Sequence, residues 1–161
     1  MGKINSRAKG AAGEREFCKA LGEHLGDALV EPLKRNLEQT RNGGHDILGL
    51  EGFALEIKRY KVVKESDVER FWQQAVEQAK RVGAQPVLAY REDFRSWRIR
   101  IPWGFMMEDM DWDEDVDFTL ELGLKAFAAL VREQHSATQL RKLQTPSDIT
   151  HMSMVYEATP R

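Results

Sequence analysis

In the segment Phe53-Ala54-Leu55-Glu56-Ile57-Lys58 every second residue is large and apolar, a pattern that suits an extended strand. Strand side chains point to opposite faces in turn, so Phe53, Leu55 and Ile57 share one side and Ala54, Glu56 and Lys58 the other. The apolar trio anchors the strand in a core. A carboxylate and an ammonium are thereby forced to be neighbours on the opposite face. Asp46 precedes Glu56 by nine intervening residues, at the start of a second run, Asp46–Leu50, and the two runs read as a hairpin. A two-residue turn Glu51-Gly52 sets Asp46 opposite Ile57, on the wrong face. A three-residue turn Leu50-Glu51-Gly52 pairs Gly49 with Phe53 and sets Asp46 opposite Glu56. Such turns favour a left-handed last residue, here Gly52. The three-residue turn is therefore expected; a slip of one residue disperses the charges.

Two carboxylates at cross-strand distance repel unless a cation lies between them. Oxygen ligands select Mg²⁺ or Mn²⁺. Such an ion acidifies water and offsets charge on a phosphate, and a neighbouring lysine orients the water or acts as its base. Phosphodiester hydrolysis is the chemistry that this grouping suits. A third acid, Glu14, lies three, four and seven positions before Phe17, Cys18 and Leu21, which with Leu25 mark the apolar stripe of a helix starting near Gly10. A carboxylate at the end of that stripe is paired, holds a cation, lies at a cleft rim, or complements the helix dipole.

The remaining segments supply a frame. Residues 3–9, with Lys3, Arg7 and Lys9, form a short basic arm. Gly26-Asp27 ends the first helix, Ala28–Leu37 reads as a strand interrupted by Pro32, and Gln39–Gly44 as a loop. Ser66-Asp67-Val68-Glu69 is a capping box. It opens a helix whose stripe is Val68, Phe71, Trp72, Ala75, Ala79 and Val82, with Gly83 as its stop. Pro86–Tyr90 is a central strand, and Trp97–Ile101 alternates, with Arg98 and Arg100 on one face. Pro102–Asp117 is an acidic and aromatic loop, Asp117–Leu122 a short strand, and Gly123–Gln134 a helix. This order predicts an α/β fold with a central mixed β-sheet flanked by helices. One domain is expected over 1–140, with its core over about 7–101 and an elaboration over 102–140. Residues 141–161 read as a tail, either flexible or pairing with a partner's sheet edge through Met152–Tyr156.

Composition excludes several classes. No run approaches the roughly 18 apolar residues of a membrane span, so no membrane association is expected. The opening residues lack the apolar core of a secretory signal. The single cysteine, Cys18, excludes an internal disulfide and a cysteine-based zinc site, which suits the cytoplasm. Residues 1–64 carry twelve Lys/Arg against nine Asp/Glu, whereas residues 101–124 carry eight acids and no base. A basic half beside an acidic segment binds a polyanion on one face while the total charge stays near zero.

Asp46 followed after nine residues by Glu56-Ile57-Lys58 resembles the PD-(D/E)xK nuclease motif, and Lys9–Phe17 resembles the start of its Holliday-junction-resolvase branch, phage-encoded and archaeal. The resemblance covers roughly residues 7–101. It implies a restriction-endonuclease-like core (α-β-β-β-α-β) and a Mg²⁺- or Mn²⁺-dependent DNA endonuclease that acts as a homodimer, in a host cytoplasm if phage-encoded. By that resemblance Glu14, Asp46, Glu56 and the Ile57 carbonyl hold the metal and Lys58 positions water. Gln74, with Gln73 as competitor, is the polar residue of the capped helix. His45 stands where the motif has proline, and Arg41-Asn42-Gly43-Gly44 where resolvases often carry serine. Alternatives are a nuclease acting on ends, nicks or specific sites, and an inactive DNA-binding or phage accessory protein of the same fold. Lys9, Lys34, Arg35, Arg41, Arg59 and Lys61 are the candidate nucleic-acid contacts.

Overall fold

The computed structural model describes residues 6–29, 31–38, 44–107 and 113–143. Helix α1 spans Ser6–Leu25 and buries Phe17, Leu21 and Leu25. It starts before Gly10, so Arg7 and Lys9 are helical and not part of an arm. Strands β1 (Lys34–Arg35) and β2 (Ile47–Leu48) form a small antiparallel pair of their own. The strand expected over Ala28–Leu37 is thus cut to two residues. Gly26–Ala28 closes a 3-10 turn, and Pro32 has no N–H to give a ladder.

The main sheet holds β3 (Phe53–Tyr60), β4 (Gln85–Glu92), β5 (Arg98–Pro102) and β6 (Thr119–Gly123), side by side in that order. β3 and β4 are parallel, and the other pairs are antiparallel. A parallel pair needs a crossover. Helix α2 (Glu65–Val82) supplies it, and its stripe Val68, Phe71, Trp72, Ala75, Val76 and Ala79 is buried. Burial of Phe71 alone contributes about 1.5–3 kcal/mol. The capping box lies two residues earlier than expected. Lys64 is the N-cap, its N–H donates to the Asp67 carboxylate at 3.0 Å, and Ser66 is exposed. Gly83 ends the helix at φ 64°, as expected.

Helix α3 (Leu124–Leu143) runs past Gln134 into the segment assigned to the tail. With α1 it covers one face of the sheet, where Leu55, Ile57, Val87, Ala89, Ile99 and Ile101 meet Phe17, Leu21, Phe127 and Val131. α2 covers the other face through Leu88 and Tyr90. The expected alternation of β3 therefore holds, with its apolar trio on the α1 side and Glu56 and Lys58 on the α2 side. Arg98 and Arg100 do share a face, but both pair with Glu121 of β6. Among the described residues no helix is long and apolar enough to cross a membrane. Met152–Tyr156, most of Gln39–Gly44 and residues 108–112 lie outside the described residues.

Candidate active site

β3 is an edge strand, and its α2-facing side carries Glu56, only 4% exposed. A buried carboxylate needs charged or hydrogen-bonding partners. Lys58 forms an ion pair with one Glu56 oxygen, and Gln78 Nε2 donates to the other at 2.6 Å. The Lys58 ammonium also lies 5.5 Å from the centre of the Phe71 ring, so α2 helps to hold it in place. The strand period makes Glu56 and Lys58 neighbours, and the packed helix fixes where both point.

Asp46, also 4% exposed, reaches β3 differently from the expected hairpin. Phe53 N–H donates to Leu50 O at 3.3 Å, closing a β-turn with Glu51 and Gly52 at its centre. Gly52 has φ 85°, the value that a type II turn demands at that position. Such turns splay strands instead of continuing a ladder. Gly49, at φ 106°, then bends the chain away, and β2 pairs with β1. The three-residue turn is thus corrected to a two-residue one, and β2 forms its ladder with β1 instead of β3.

One contact recovers the proximity. The Asp46 N–H donates to Leu55 O at 2.7 Å, and its carboxylate Oδ2 accepts from the Ile57 N–H at 2.6 Å. The side chain takes the place that a neighbouring strand's carbonyl would fill. Its carboxylate is thereby fixed one peptide group from Glu56. On the other side, Asn36 N–H donates to Asp46 O at 2.8 Å, so Asp46 bridges β1 and β3.

Glu14 approaches from α1 and is paired with the Arg35 guanidinium of β1. Among the described residues no three His, Cys, Asp or Glu side chains lie close enough together to hold a metal, so Glu14 is not joined with Asp46 and Glu56 in this arrangement. Burial, then the nearby Glu14 charge, pushes the Cys18 thiol up to about 11 against the opposing pull of Arg35. That suits a core cysteine and not a nucleophile. Burial holds His45 below the ordinary imidazole value, so the ring is neutral at pH 7, and its Nδ1 is buried without a partner.

The residues present fit a divalent cation chemically. Asp46 and Glu56 offer only hard oxygen donors, as Mg²⁺ and Mn²⁺ prefer. Beside them the Gln78 amide oxygen is buried and has no hydrogen-bond partner. Gln78, which the sequence did not single out, is thereby a further candidate site residue. Gln74 and Gln73 are exposed, and the contact to Glu56 belongs to the glutamine one turn beyond Gln74. The helical repeat of the Gln73–Gln78 segment was the only available signal.

The candidate nucleic-acid contacts divide into two groups. Lys9 pairs with Asp93 at 2.8 Å, Arg59 with Asp93 at 3.0 Å and Glu16 at 3.2 Å, and Arg35 with Glu14. Lys34 and Lys61 are exposed, and Arg41 lies outside the described residues. Arg15 and Lys19 join Arg35 along an open cleft of about 600 Å³ between α1 and the β1 segment, a basic grouping that sequence order did not reveal.

A strand bearing Glu56-x-Lys58, with an aspartate held against it from the preceding segment, resembles the motif for which the PD-(D/E)xK nucleases are named. The chain belongs to the family described as "Phage putative PDDEXK endonuclease", whose profile matches residues 5–121. No curated protein matches it. Among solved structures it is similar to Hjc, a Holliday junction resolvase from the archaeal hyperthermophile Archaeoglobus fulgidus. The TM-score is 0.45 and the identity 20%, over 75% of this chain and 96% of that one.

Proposed function

We propose that this protein is a divalent-metal-dependent DNA endonuclease that cuts branched DNA, as a Holliday junction resolvase does, and acts as a homodimer. The observation that carries the catalytic part is the Asp46 carboxylate on the Ile57 amide, beside a buried Glu56 held by Lys58 and Gln78. Asp46, Glu56 and the Ile57 carbonyl would hold Mg²⁺ or Mn²⁺, with Glu14 joining them on release from Arg35. When bound, the ion supplies neutralisation of phosphate charge and acidification of water.

The chain's own residues do the positioning. Lys58 donates a hydrogen bond that orients the attacking water at the phosphorus. The water oxygen joins phosphorus as the bond to the departing ester oxygen breaks; the water's proton passes to solvent, and the departing oxygen takes a proton from solvent. Gln78 keeps the Glu56 carboxylate from rotating, so the lysine and carboxylate stay in one geometry. Lys34 and Lys61, both exposed, would contact phosphates without reading bases. A branched substrate has two strands to be cut symmetrically, which calls for two copies of the chain.

The experiment is cleavage of a four-way junction, a matched linear duplex and a single strand, each with Mg²⁺ or with EDTA. Paired, Mg²⁺-dependent cuts confined to the junction are expected. Cutting of all three substrates would replace branch selectivity with a general DNA nuclease. Binding without cleavage in Mg²⁺ or Mn²⁺ would make the protein an inactive DNA-binding relative.

A further inference from the structure

The turn between β4 and β5 carries two anomalies on one residue. Phe94 sits at φ 63°, the only positive φ outside glycine among the described residues, and it is 98% exposed. A bulky side chain in the left-handed region costs energy that glycine or asparagine would largely avoid. A ring left in water gains no burial to offset that cost. The left-handed backbone closes the Glu92–Arg95 turn, but nothing in that turn calls for an exposed aromatic ring at this position, and an unfavourable residue kept there points to function.

The turn is held firmly. Arg95 N–H donates to Glu92 O at 3.1 Å, and Asp93 N–H donates to Tyr60 O at 2.8 Å. The Asp93 carboxylate is clamped by Lys9 and Arg59 at 2.8 and 3.0 Å. Phe94 is therefore presented from a rigid base.

Its place relative to the candidate active site follows from strand register. Tyr60 of β3 pairs with Glu92 of β4, so the turn projects from the end toward which β3 runs after Glu56 and Lys58. At about 3.3 Å per residue, Tyr60 lies roughly 13 Å along β3 from Glu56. That is the length of about four stacked nucleotides at roughly 3.4 Å each.

The surrounding charge suits a polyanion. Arg95 and Lys61 are exposed and have no ion pair among the described residues. The nearby acids are engaged: Asp93 by Lys9 and Arg59, Glu16 by Arg91 at 2.6 Å, and Glu92 by the Val63 N–H at 2.9 Å. A rigid aromatic ring flanked by basic groups is the combination that stacks on unpaired bases while holding a backbone.

We infer that Phe94 is a stacking wedge that engages unpaired or unstacked bases of the DNA beside the cleavage site, with Arg95 on the adjoining phosphate. The inference rests on the DNA endonuclease reading above. It assigns branch selectivity to a residue outside the catalytic grouping. A wedge enters a step that is already disrupted at smaller unstacking cost than one in a continuous duplex.

The test uses the full chain with Glu56→Gln, to hold DNA uncut, alone and combined with Phe94→Asn or Phe94→Trp. Asparagine tolerates the left-handed backbone, so that variant keeps the turn. The probes are a four-way junction with 2-aminopurine at the branch point and a linear duplex of matched sequence. Phe94→Asn should weaken junction binding about ten-fold and leave duplex binding within about two-fold, the loss expected for one stacked base. The 2-aminopurine response should vanish with asparagine and return with tryptophan. Unchanged junction binding, or equal weakening on both DNAs, overturns the wedge. So does loss of a dimer in sedimentation by Phe94→Asn, which would make the ring a protein contact. If the unsubstituted chain cleaves DNA while Phe94→Asn alters nothing, only the wedge fails. If the unsubstituted chain neither binds nor cleaves any DNA, both readings fail.

Discussion

The Asp46 carboxylate accepts the Ile57 N–H at 2.6 Å while the Asp46 N–H donates to Leu55 O at 2.7 Å. One residue thus satisfies two main-chain groups on the edge of β3 and sets its own charge beside Glu56. In the proposed nuclease, stability and chemistry are coupled at this position, and two substitutions separate them. Asp46→Ala leaves the Ile57 N–H buried without an acceptor, at a cost of about 1–3 kcal/mol. Asp46→Asn keeps an oxygen for that N–H and loses only the charge. Both should abolish cleavage, but in urea unfolding only the alanine variant should show a clearly lower midpoint.

Gln78 is expected to matter for rate more than for folding. Its amide donates to Glu56 at 2.6 Å, and a group that orients a catalytic carboxylate typically changes activity about 10–100-fold. Gln78→Ala should slow single-turnover cleavage by that factor, whereas Gln74→Ala should leave it unchanged. Equal effects from the two variants would remove Gln78 from the site.

The two glycines of the β2–β3 connection should respond unequally to alanine. At Gly49 (φ 106°) a Cβ would stand 3.2 Å from Leu33 Cδ2 and 3.3 Å from Pro32 O, so strain and crowding combine. At Gly52 (φ 85°) a Cβ would meet nothing within 4 Å. Gly49→Ala should cost about 2–3 kcal/mol and lower cleavage by shifting Asp46. Gly52→Ala should cost about 1–2 kcal/mol and spare the site. Thermal unfolding alongside cleavage rates checks both.

These contrasts show what the sequence could and could not convey. The neighbouring of Glu56 and Lys58 was legible because it depends only on the two-residue period of a strand. So was the order of elements, since each helix and strand carries its own apolar rhythm. The turn was not legible, because Gly52 suits a left-handed position in either register. What decides is Gly49 fitting against Pro32 and Leu33, a contact between distant segments. Gln74 and Gln78 stand four residues apart on one face of α2, and only the docking of α2 on β3 selects between them. That Lys9 and Arg59, both candidate phosphate contacts, share Asp93 was not legible either, because only folding brings Asp93 against both.

Acid should loosen the clamp behind the β4–β5 turn. The Lys9 hydrogen bond, with that of Arg59, holds the Asp93 carboxyl below its ordinary value of 3.8 despite the opposing effect of burial. A depressed folded-state value contributes stability that is fully present above the unfolded value and is lost as pH falls through the folded one. The contribution of Asp93 should therefore be intact at neutral pH and disappear below about pH 4. Asp93→Asn should flatten the stability profile in that acid window and change it little between pH 6 and 8. Denaturant midpoints measured across pH for the two proteins test this.

Glu14 offers the last test, because its present partner and its proposed one compete. The Arg35 guanidinium now neutralises the Glu14 carboxylate, and both side chains are mostly buried. For Glu14 to reach a cation beside Asp46 and Glu56, that ion pair must open. Opening a partly buried pair costs binding free energy, because the arginine is left uncompensated. Arg35→Gln removes the competitor while keeping a hydrogen-bond donor. It should tighten Mn²⁺ binding in calorimetry and lower the Mg²⁺ concentration for half-maximal cleavage, by about three- to ten-fold if roughly 1 kcal/mol is released. Glu14→Gln should shift both quantities in the opposite direction. Identical metal titrations for wild type, Arg35→Gln and Glu14→Gln would confine Glu14 to an ion pair that fastens α1 to β1, and leave Asp46 and Glu56 as the only carboxylates of the site.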